Sequence, residues 1–200
     1  MTKLLRDILS EVDRTGHEVL HHISPHDIDS FHPLSHFGTY KAAKQIGSQL
    51  HRSEVSDKSS YNASHRDRYH YKARLINKGT THHMSGDAGS HTPSDLIHSL
   101  HHEGVFNRSE VNHHFNNLQK IHRETGGSDD SPHHKALEYA ANAIRSKGIH
   151  TLSYKNEYEH AGQKSYITTH PDQVHVLSKT KVAVRSNQVR DKSVKPVIKL

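Results

Sequence analysis

Apolar side chains are scarce in this chain, and their scarcity limits how it can fold. They make up 31% of the 200 residues, and the mean hydropathy is −0.89. Because burial of apolar surface drives folding, a core has to come from the few segments in which these side chains recur at a helical or strand spacing. We expect much of the remaining sequence on the surface, in loops or in a tail.

The sequence lacks the residues that cysteine-dependent proteins need and the apolar segments that membrane-spanning or secreted proteins need. Cysteine is absent, which excludes disulfide scaffolds, thiolate zinc sites, iron–sulfur clusters and cysteine nucleophiles. No run approaches the roughly eighteen apolar residues of a membrane span, and the N-terminus lacks the apolar block of a signal peptide. We therefore expect no membrane partner.

The apolar pattern divides the chain into a small set of elements. Apolar residues recur at three- and four-residue spacing in segments that predict helices over 3–22, 41–51, 94–102, 107–123 and 133–147. Shorter apolar runs predict strands over 69–76, 149–154, 165–169 and 174–177. Residues 80–93 are rich in Gly, Ser, Thr and His and predict a loop. The first helix makes 1–30 an N-terminal amphipathic segment.

Histidine is far more frequent than in ordinary proteins, with 24 residues against 27 Lys and Arg. The formal charge of +6 counts every histidine as neutral. With an ordinary imidazole pKa of about 6.5, roughly a quarter of them are protonated at neutral pH, which raises the charge to around +12. The electrostatic field of this protein therefore depends strongly on pH.

The formal positive charge is concentrated at the C-terminus. Residues 179–200 hold seven Lys or Arg and one acid, Asp191, so that this segment alone accounts for the net +6. Such a tail suits docking to nucleic acid or to an acidic protein surface. Its valines, among them Val182 and Val184, equally suit a terminus that pairs with a strand.

Two histidine patterns match metal-binding spacings. His17 to His21 reads H-E-x-x-H, which on a helix places two imidazoles one turn apart beside a glutamate. In a chain this rich in histidine we interpret the match as chance. His98 with His101 or His102 has the spacing of a surface metal pair, but we interpret these histidines as solvated and predict no metal site.

Three separated segments carry a family resemblance. The first reads F-H-P-L-S-H-F-G-T over 31–39, followed by Ala42 and Ala43. The second is Y-K-A-R-L-I-N over 71–77, and the third runs from K-G-I at 147–149 through Y-K-N-E-Y-E at 154–159 to S-Y-I and P-D-Q-V. In this order they resemble the ADP-ribosyltransferase-like proteins common among bacteriophages and mobile elements.

The resemblance covers about 31–51, 69–78 and 134–177 and implies an α+β fold. In that fold two small split sheets with flanking helices hold NAD in the cleft between them. The implied organisation is an N-terminal helix over 1–30, a domain over 31–178 with a His-rich helical insertion at 79–132, and a basic tail over 179–200. The family's glycine/aspartate turn is replaced here by Lys147 to Thr151.

The resemblance also implies site residues. His36 would hydrogen-bond a ribose hydroxyl of the nicotinamide nucleoside, with Phe37, Gly38 and Thr39 completing the NAD-binding strand end. Gly38 would bring its backbone N–H and C=O to the carboxamide, since it has no Cβ.

Two glutamates follow in the third segment. Glu159 would contact the ribose 2′-OH and stabilise the oxocarbenium-like transition state as nicotinamide leaves. Glu157, two residues earlier, would lie on the same side of an extended chain. Such a Glu-x-Glu pair resembles that of transferases that modify arginine, in which the earlier carboxylate engages the acceptor.

Three functions compete at this point. The first is an enzyme that transfers ADP-ribose from NAD to a host protein, packaged in a virion or acting in the host cytoplasm. The second is a virion structural or internal protein that keeps the fold without activity and contacts capsid proteins or DNA. The third is a His-rich metal-binding protein.

Overall fold

The computed structural model describes residues 18–47, 68–76, 79–89, 91–124, 131–157 and 160–182. Within these residues the fold is mixed α+β, with four helices and two small sheets. The strands are β1 (Leu20–Ser24), β2 (His36–Phe37), β3 (Arg68–Leu75), β4 (Thr81–His83), β5 (Thr151–Lys155), β6 (Lys164–Thr168) and β7 (Val174–Val182). The helices are α1 (40–47), α2 (Pro93–His102), α3 (Arg108–Glu124) and α4 (Ser131–Ser146). No helix of this part of the chain is long and apolar enough to cross a membrane.

Local sequence signals start the helices. The Thr92 hydroxyl accepts a hydrogen bond from the Asp95 N–H, and the Asp95 carboxylate accepts one from the Thr92 N–H, so that a capping box precedes α2. Asn107 and Glu110 make the same reciprocal pair ahead of α3. Both helices therefore begin where the chain provides its own caps.

The larger sheet carries the main core. Its order is β2-β6-β5-β4, with β4 parallel to β5 and the other pairs antiparallel. Helices α2, α3 and α4 pack against one another, and their buried side chains share one apolar cluster with the sheet. Representative members are Leu96, Ile97, Leu100, Ile144, Leu152 and Ile167, each at most 1% exposed.

The smaller sheet is antiparallel, in the order β1-β3-β7, with a bulge between Lys72 and Ala73. Its core is small and largely aromatic, and Phe31, Phe37 and Tyr71 meet there edge to face. Strand β7 lies at the edge of the sheet, and most of its residues are exposed.

Within the described residues, a β-bridge between His21 and Gly38 joins the two sheets. The His21 N–H donates to the Gly38 carbonyl over 2.8 Å, and the Gly38 N–H donates back to the His21 carbonyl over 3.1 Å. Strand β1 of the smaller sheet is thereby fixed beside the end of β2 in the larger one. This junction positions the candidate site.

The predicted N-terminal helix is wrong where it can be checked. Leu20–Ser24 is a strand that pairs with β3, although 3–22 had been predicted helical. Leu20 and Ile23 lie three apart and so fit a helical spacing, but pairing with a strand distant in sequence overrides local pattern. Residues 1–17, the rest of that prediction, lie outside the described residues.

Two other predicted segments contribute to the sheets. In the segment 79–132, β4 joins the larger sheet, and α2 and α3 supply much of the main core. Residues 179–182 belong to β7 and pair with β3, which agrees with the strand-pairing alternative for the start of this terminus. Residues 183–200 lie outside the described residues.

Candidate functional site

A cavity of about 330 Å³ lies where the two sheets meet. Strands β1, β2, β5 and β6 and helix α1 contribute to its wall, and we call it the junction cavity. Its polar lining comes mainly from His21, His22, Ser24, Ser35, His36, Asn156 and Ser165, and its apolar lining from Ile23, Phe37, Ala42, Ala43 and Ile46. It therefore presents an apolar wall with a few hydrogen-bonding groups, which is typical of small-molecule sites.

His36 is held within this wall as a neutral ring. Its Nδ1 lies 3.2 Å from the Tyr154 hydroxyl, and its Nε2 has no partner among the described residues. Burial, reinforced by the nearby His22 and His91, lowers the pKa of His36 to about 4, and Asp87 opposes that shift. At neutral pH His36 can therefore donate or accept a hydrogen bond through Nε2 but carries no charge.

Gly38 is needed for a close approach between strands. A Cβ at this position would lie 2.5 Å from the Ser165 Oγ, well inside contact distance. The Gly38 N–H is already bonded to His21, so it is not available for the carboxamide contact that the resemblance implied. The Gly38 carbonyl accepts from His21 with one lone pair and keeps the second.

Phe37 and Thr39 have structural contacts. Phe37 is 1% exposed and packs in the aromatic core, although one side of it reaches the cavity. The Thr39 hydroxyl accepts from the Ala42 N–H at the start of α1 and lies 2.8 Å from His160 Nδ1. Thr39 thus caps α1 and is absent from the cavity lining.

The third sequence segment reaches the cavity through the turn between β5 and β6. Asn156 is 3% exposed, and its side-chain amide donates to the Ser165 hydroxyl over 3.0 Å. The Asn156 backbone bonds to Gln163 and Gly162, which closes the turn. Asn156 and Ser165 therefore hold one end of the cavity in a fixed geometry.

Of the two predicted glutamates, Glu157 is the one that the structure describes. Glu157 is exposed, and its backbone N–H donates to the Asp87 carboxylate over 2.7 Å. It does not line the junction cavity. Glu159 lies outside the described residues.

His21 and His22 line the cavity but were missed, because they fall in the predicted N-terminal helix. The His22 Nδ1 donates to the His36 carbonyl over 2.8 Å, and burial lowers the pKa of His22. His21 Nδ1 lies 2.8 Å from His70 Nε2, and burial, aided by His70 and Lys72, lowers the pKa of His21 to about 4. The run L-H-H-I-S before a proline was the available signal for a strand here.

The two metal-binding patterns can be compared with the structure only at their described residues. Among the described residues, no group of three or more His, Asp or Glu could hold a metal ion. His21 belongs to a strand, so the helical geometry of H-E-x-x-H is not present at that residue, and His17 lies outside the described residues. His98 and His102 form a pair on α2 with ring centroids 4.4 Å apart.

Comparison of the chain with family models, curated proteins and solved structures finds no match. The chemistry of the junction cavity therefore carries the functional argument. Its neutral imidazoles, amide and hydroxyl can orient a polar ligand through hydrogen bonds, and its apolar wall can hold a planar ring.

Proposed function

We propose that this chain is an ADP-ribosyltransferase-like protein that takes NAD as substrate and transfers ADP-ribose to a host protein. One observation carries the proposal. The first and third segments of the resemblance are more than a hundred residues apart in sequence, yet both line the junction cavity: His36 and Gly38 from the first, Asn156 and Ser165 from the third.

The size and lining of the cavity fit one end of a dinucleotide. A volume of about 330 Å³ is at the lower end for ligand sites, so it suits a nucleoside and leaves the adenylate end outside. Ala42, Ala43 and Ile46 form an apolar wall against which the nicotinamide ring would pack. Entry of the nicotinamide nucleoside first is the binding mode that this lining supports.

Two groups of the β2 end would orient that nucleoside. His36 Nε2 is the ring nitrogen available to a ribose hydroxyl, because Nδ1 is engaged by Tyr154. The second lone pair of the Gly38 carbonyl would accept a hydrogen bond from the carboxamide NH₂. Since His36 is neutral, it would not repel the positive charge that nicotinamide carries before it leaves.

In the proposed reaction the bond between ribose C1′ and the nicotinamide nitrogen breaks, and its electron pair neutralises the pyridinium. A nucleophilic nitrogen or oxygen of the acceptor protein then bonds to C1′ and loses a proton. The Glu159 carboxylate would stabilise the positive charge that develops on the ribose, and Glu157 would engage the acceptor. Action in the host cytoplasm, after delivery in a virion, belongs to the same proposal.

The test is release of nicotinamide from NAD, followed by chromatography, with and without a bacterial lysate as acceptor. We expect Glu159→Gln to lower the rate on the order of a hundredfold or more, because the amide removes the stabilising charge. The matched control is Glu124→Gln, an exposed glutamate of α3, which should leave the rate unchanged.

Equal rates in the parent and in Glu159→Gln would reject the role of Glu159. No release by the parent under any of these conditions would reject the enzyme and favour the non-enzymatic virion protein.

A further inference from the structure

A second cavity, of about 410 Å³, shares His22, Ser24, Ser35 and His36 with the junction cavity. The loop after β1, the segment before β2 and the starts of α2 and α4 enclose it. Seven of its lining residues are histidines, and we call it the histidine cavity; they are His22, His26, His32, His36, His91, His133 and His134. This concentration is beyond what the proposed NAD site uses, since only His22 and His36 also line the junction cavity.

The histidine cavity has no other titrating group in its lining. Among the described residues that line it, none is Asp, Glu, Lys or Arg; Ser24 and Ser35 provide hydroxyls and the rest are apolar or proline. Its charge can therefore only be zero or positive, and pH decides which. Such a surface attracts anions when its imidazoles are protonated and exerts no net electrostatic attraction on anions when its imidazoles are neutral.

The histidines are close enough to oppose one another's protonation. The His32 and His134 rings stack with centroids 4.1 Å apart. Burial first, and then the nearby His134 and His133, lowers the pKa of His32, while Glu138 of α4 opposes that shift. An anion bound in the cavity would offset the repulsion between protonated rings, so anion binding and proton uptake should be coupled.

The carboxylates around the histidine cavity do not take the place of a bound anion. Asp95 of α2 is held by Thr92 in its capping box, and Asp87 accepts from the Glu157 and Gly89 N–H groups. Glu138 is exposed on α4, where it acts on His32, and it does not line the histidine cavity. The imidazoles thus lack a carboxylate inside the cavity that could neutralise them.

We propose that the histidine cavity binds a small tetrahedral oxyanion of the phosphate type and takes up protons as it does so. A doubly charged oxyanion can accept hydrogen bonds from several imidazolium N–H groups at once, and charge-assisted bonds of this kind are the strong ones. A divalent metal is disfavoured, because the described histidines form no group of three with ligating geometry.

Sulfate is the probe, because it remains a dianion between pH 5.5 and 7.5 and any pH dependence then belongs to the protein. Calorimetric titration of the full chain should show sulfate binding at least about tenfold tighter at pH 5.5, since uptake of one proton changes affinity up to tenfold per pH unit. Repeating the titration in buffers of different ionisation heat should show net proton uptake. Equal affinity at the two pH values would overturn the proposal.

Location is tested with two double variants. His32→Gln with His133→Gln changes two exposed residues of the histidine cavity and should abolish the pH-dependent binding. The matched control, His113→Gln with His122→Gln, changes two exposed histidines of α3 and should bind sulfate as the parent does. Melting temperatures check that both double variants fold. If the variant with His32→Gln and His133→Gln does not fold, His32→Gln alone replaces it and should weaken sulfate binding severalfold.

Two results would overturn the assignment. Binding that survives the change at His32 and His133 would place the anion elsewhere, such as on the basic tail. Tight binding of Zn²⁺ that strengthens as pH rises, with no sulfate binding at pH 5.5, would show a metal site instead.

Discussion

The two sheets of this protein are stabilised differently. The larger sheet and helices α2, α3 and α4 form the helical half, whose described core has sixteen buried residues, mostly Leu, Ile and Ala. The smaller sheet has a described core of seven, four of them Phe or Tyr, and buries His21 and His70 beside it. Strand β1 of the smaller sheet lines both cavities, and the helical half contributes only its margins to them: β2, β5 and β6 to the junction cavity, and the starts of α2 and α4 to the histidine cavity.

The difference between the two cores implies that one supplies most of the folding stability and the other supplies groups that can bind a ligand. Packed aliphatic side chains supply most of the hydrophobic free energy, and they leave no polar group for a ligand. Buried imidazoles cost stability when they must be charged, but they supply hydrogen-bonding groups where the sheets meet. We therefore expect substitutions in the helical half to affect folding and substitutions at the junction to affect binding.

The largest expected contrast is between two leucine truncations. Leu100→Ala, at a position of 0% exposure in the helical half, should lower the free energy of unfolding by about 3–4 kcal/mol. Leu75→Ala, at 7% exposure in the smaller sheet, should lower it by about 2 kcal/mol because the smaller core can relax around the cavity. Urea unfolding measures both, and a larger loss for Leu75→Ala would contradict the comparison.

The next contrast concerns Gly38, where the two sheets touch. Gly38→Ala should cost about 1–3 kcal/mol, because the new methyl would lie 2.5 Å from the Ser165 hydroxyl. Ser165→Ala removes that oxygen, so the double variant should be more stable than the sum of the two single changes predicts. Strict additivity in the double-mutant cycle would mean that the close approach to Ser165 is not what requires glycine.

A smaller effect is expected from acid. The pKa of His36 is lowered in the folded state, so the unfolded state binds its proton first as pH falls below about 6.5. The stabilisation that depends on a neutral His36 is therefore present above pH 6.5 and is lost as pH falls toward 4. Between pH 7 and pH 5 the parent should lose on the order of 1 kcal/mol more than His36→Gln. Parallel stability–pH curves would show that His36 is not buried as a neutral ring.

The helices could be predicted from the sequence more closely than the strands that depend on distant pairing partners. Helices α2, α3 and α4 lie within two residues of their predicted bounds, because apolar spacing and caps such as Thr92 are local signals. Strand β1 was missed because its pairing partner, β3, lies almost fifty residues away and leaves no mark in the local spacing. The small β4 was missed for the same reason, since only pairing with β5 makes it a strand.

The candidate site was predicted in part. His36 and Gly38 were found from their motif, and both line the junction cavity. His22 was not, because its role depends on the bridge between β1 and β2. The engagement of the Gly38 N–H by His21 is also invisible in sequence, since it arises only where the two sheets meet.

We expect the nicotinamide end of NAD to bind in the junction cavity and not on the helices that cover the larger sheet. Amide proton–nitrogen NMR spectra recorded while NAD is added test it most directly. We expect chemical-shift changes at His36, Gly38, Asn156 and Ser165 that are weaker in Gly38→Ala, and no change at the amides of α3. Shifts confined to α3 or to the exposed strand β7, or no shift at all at millimolar NAD, would contradict it.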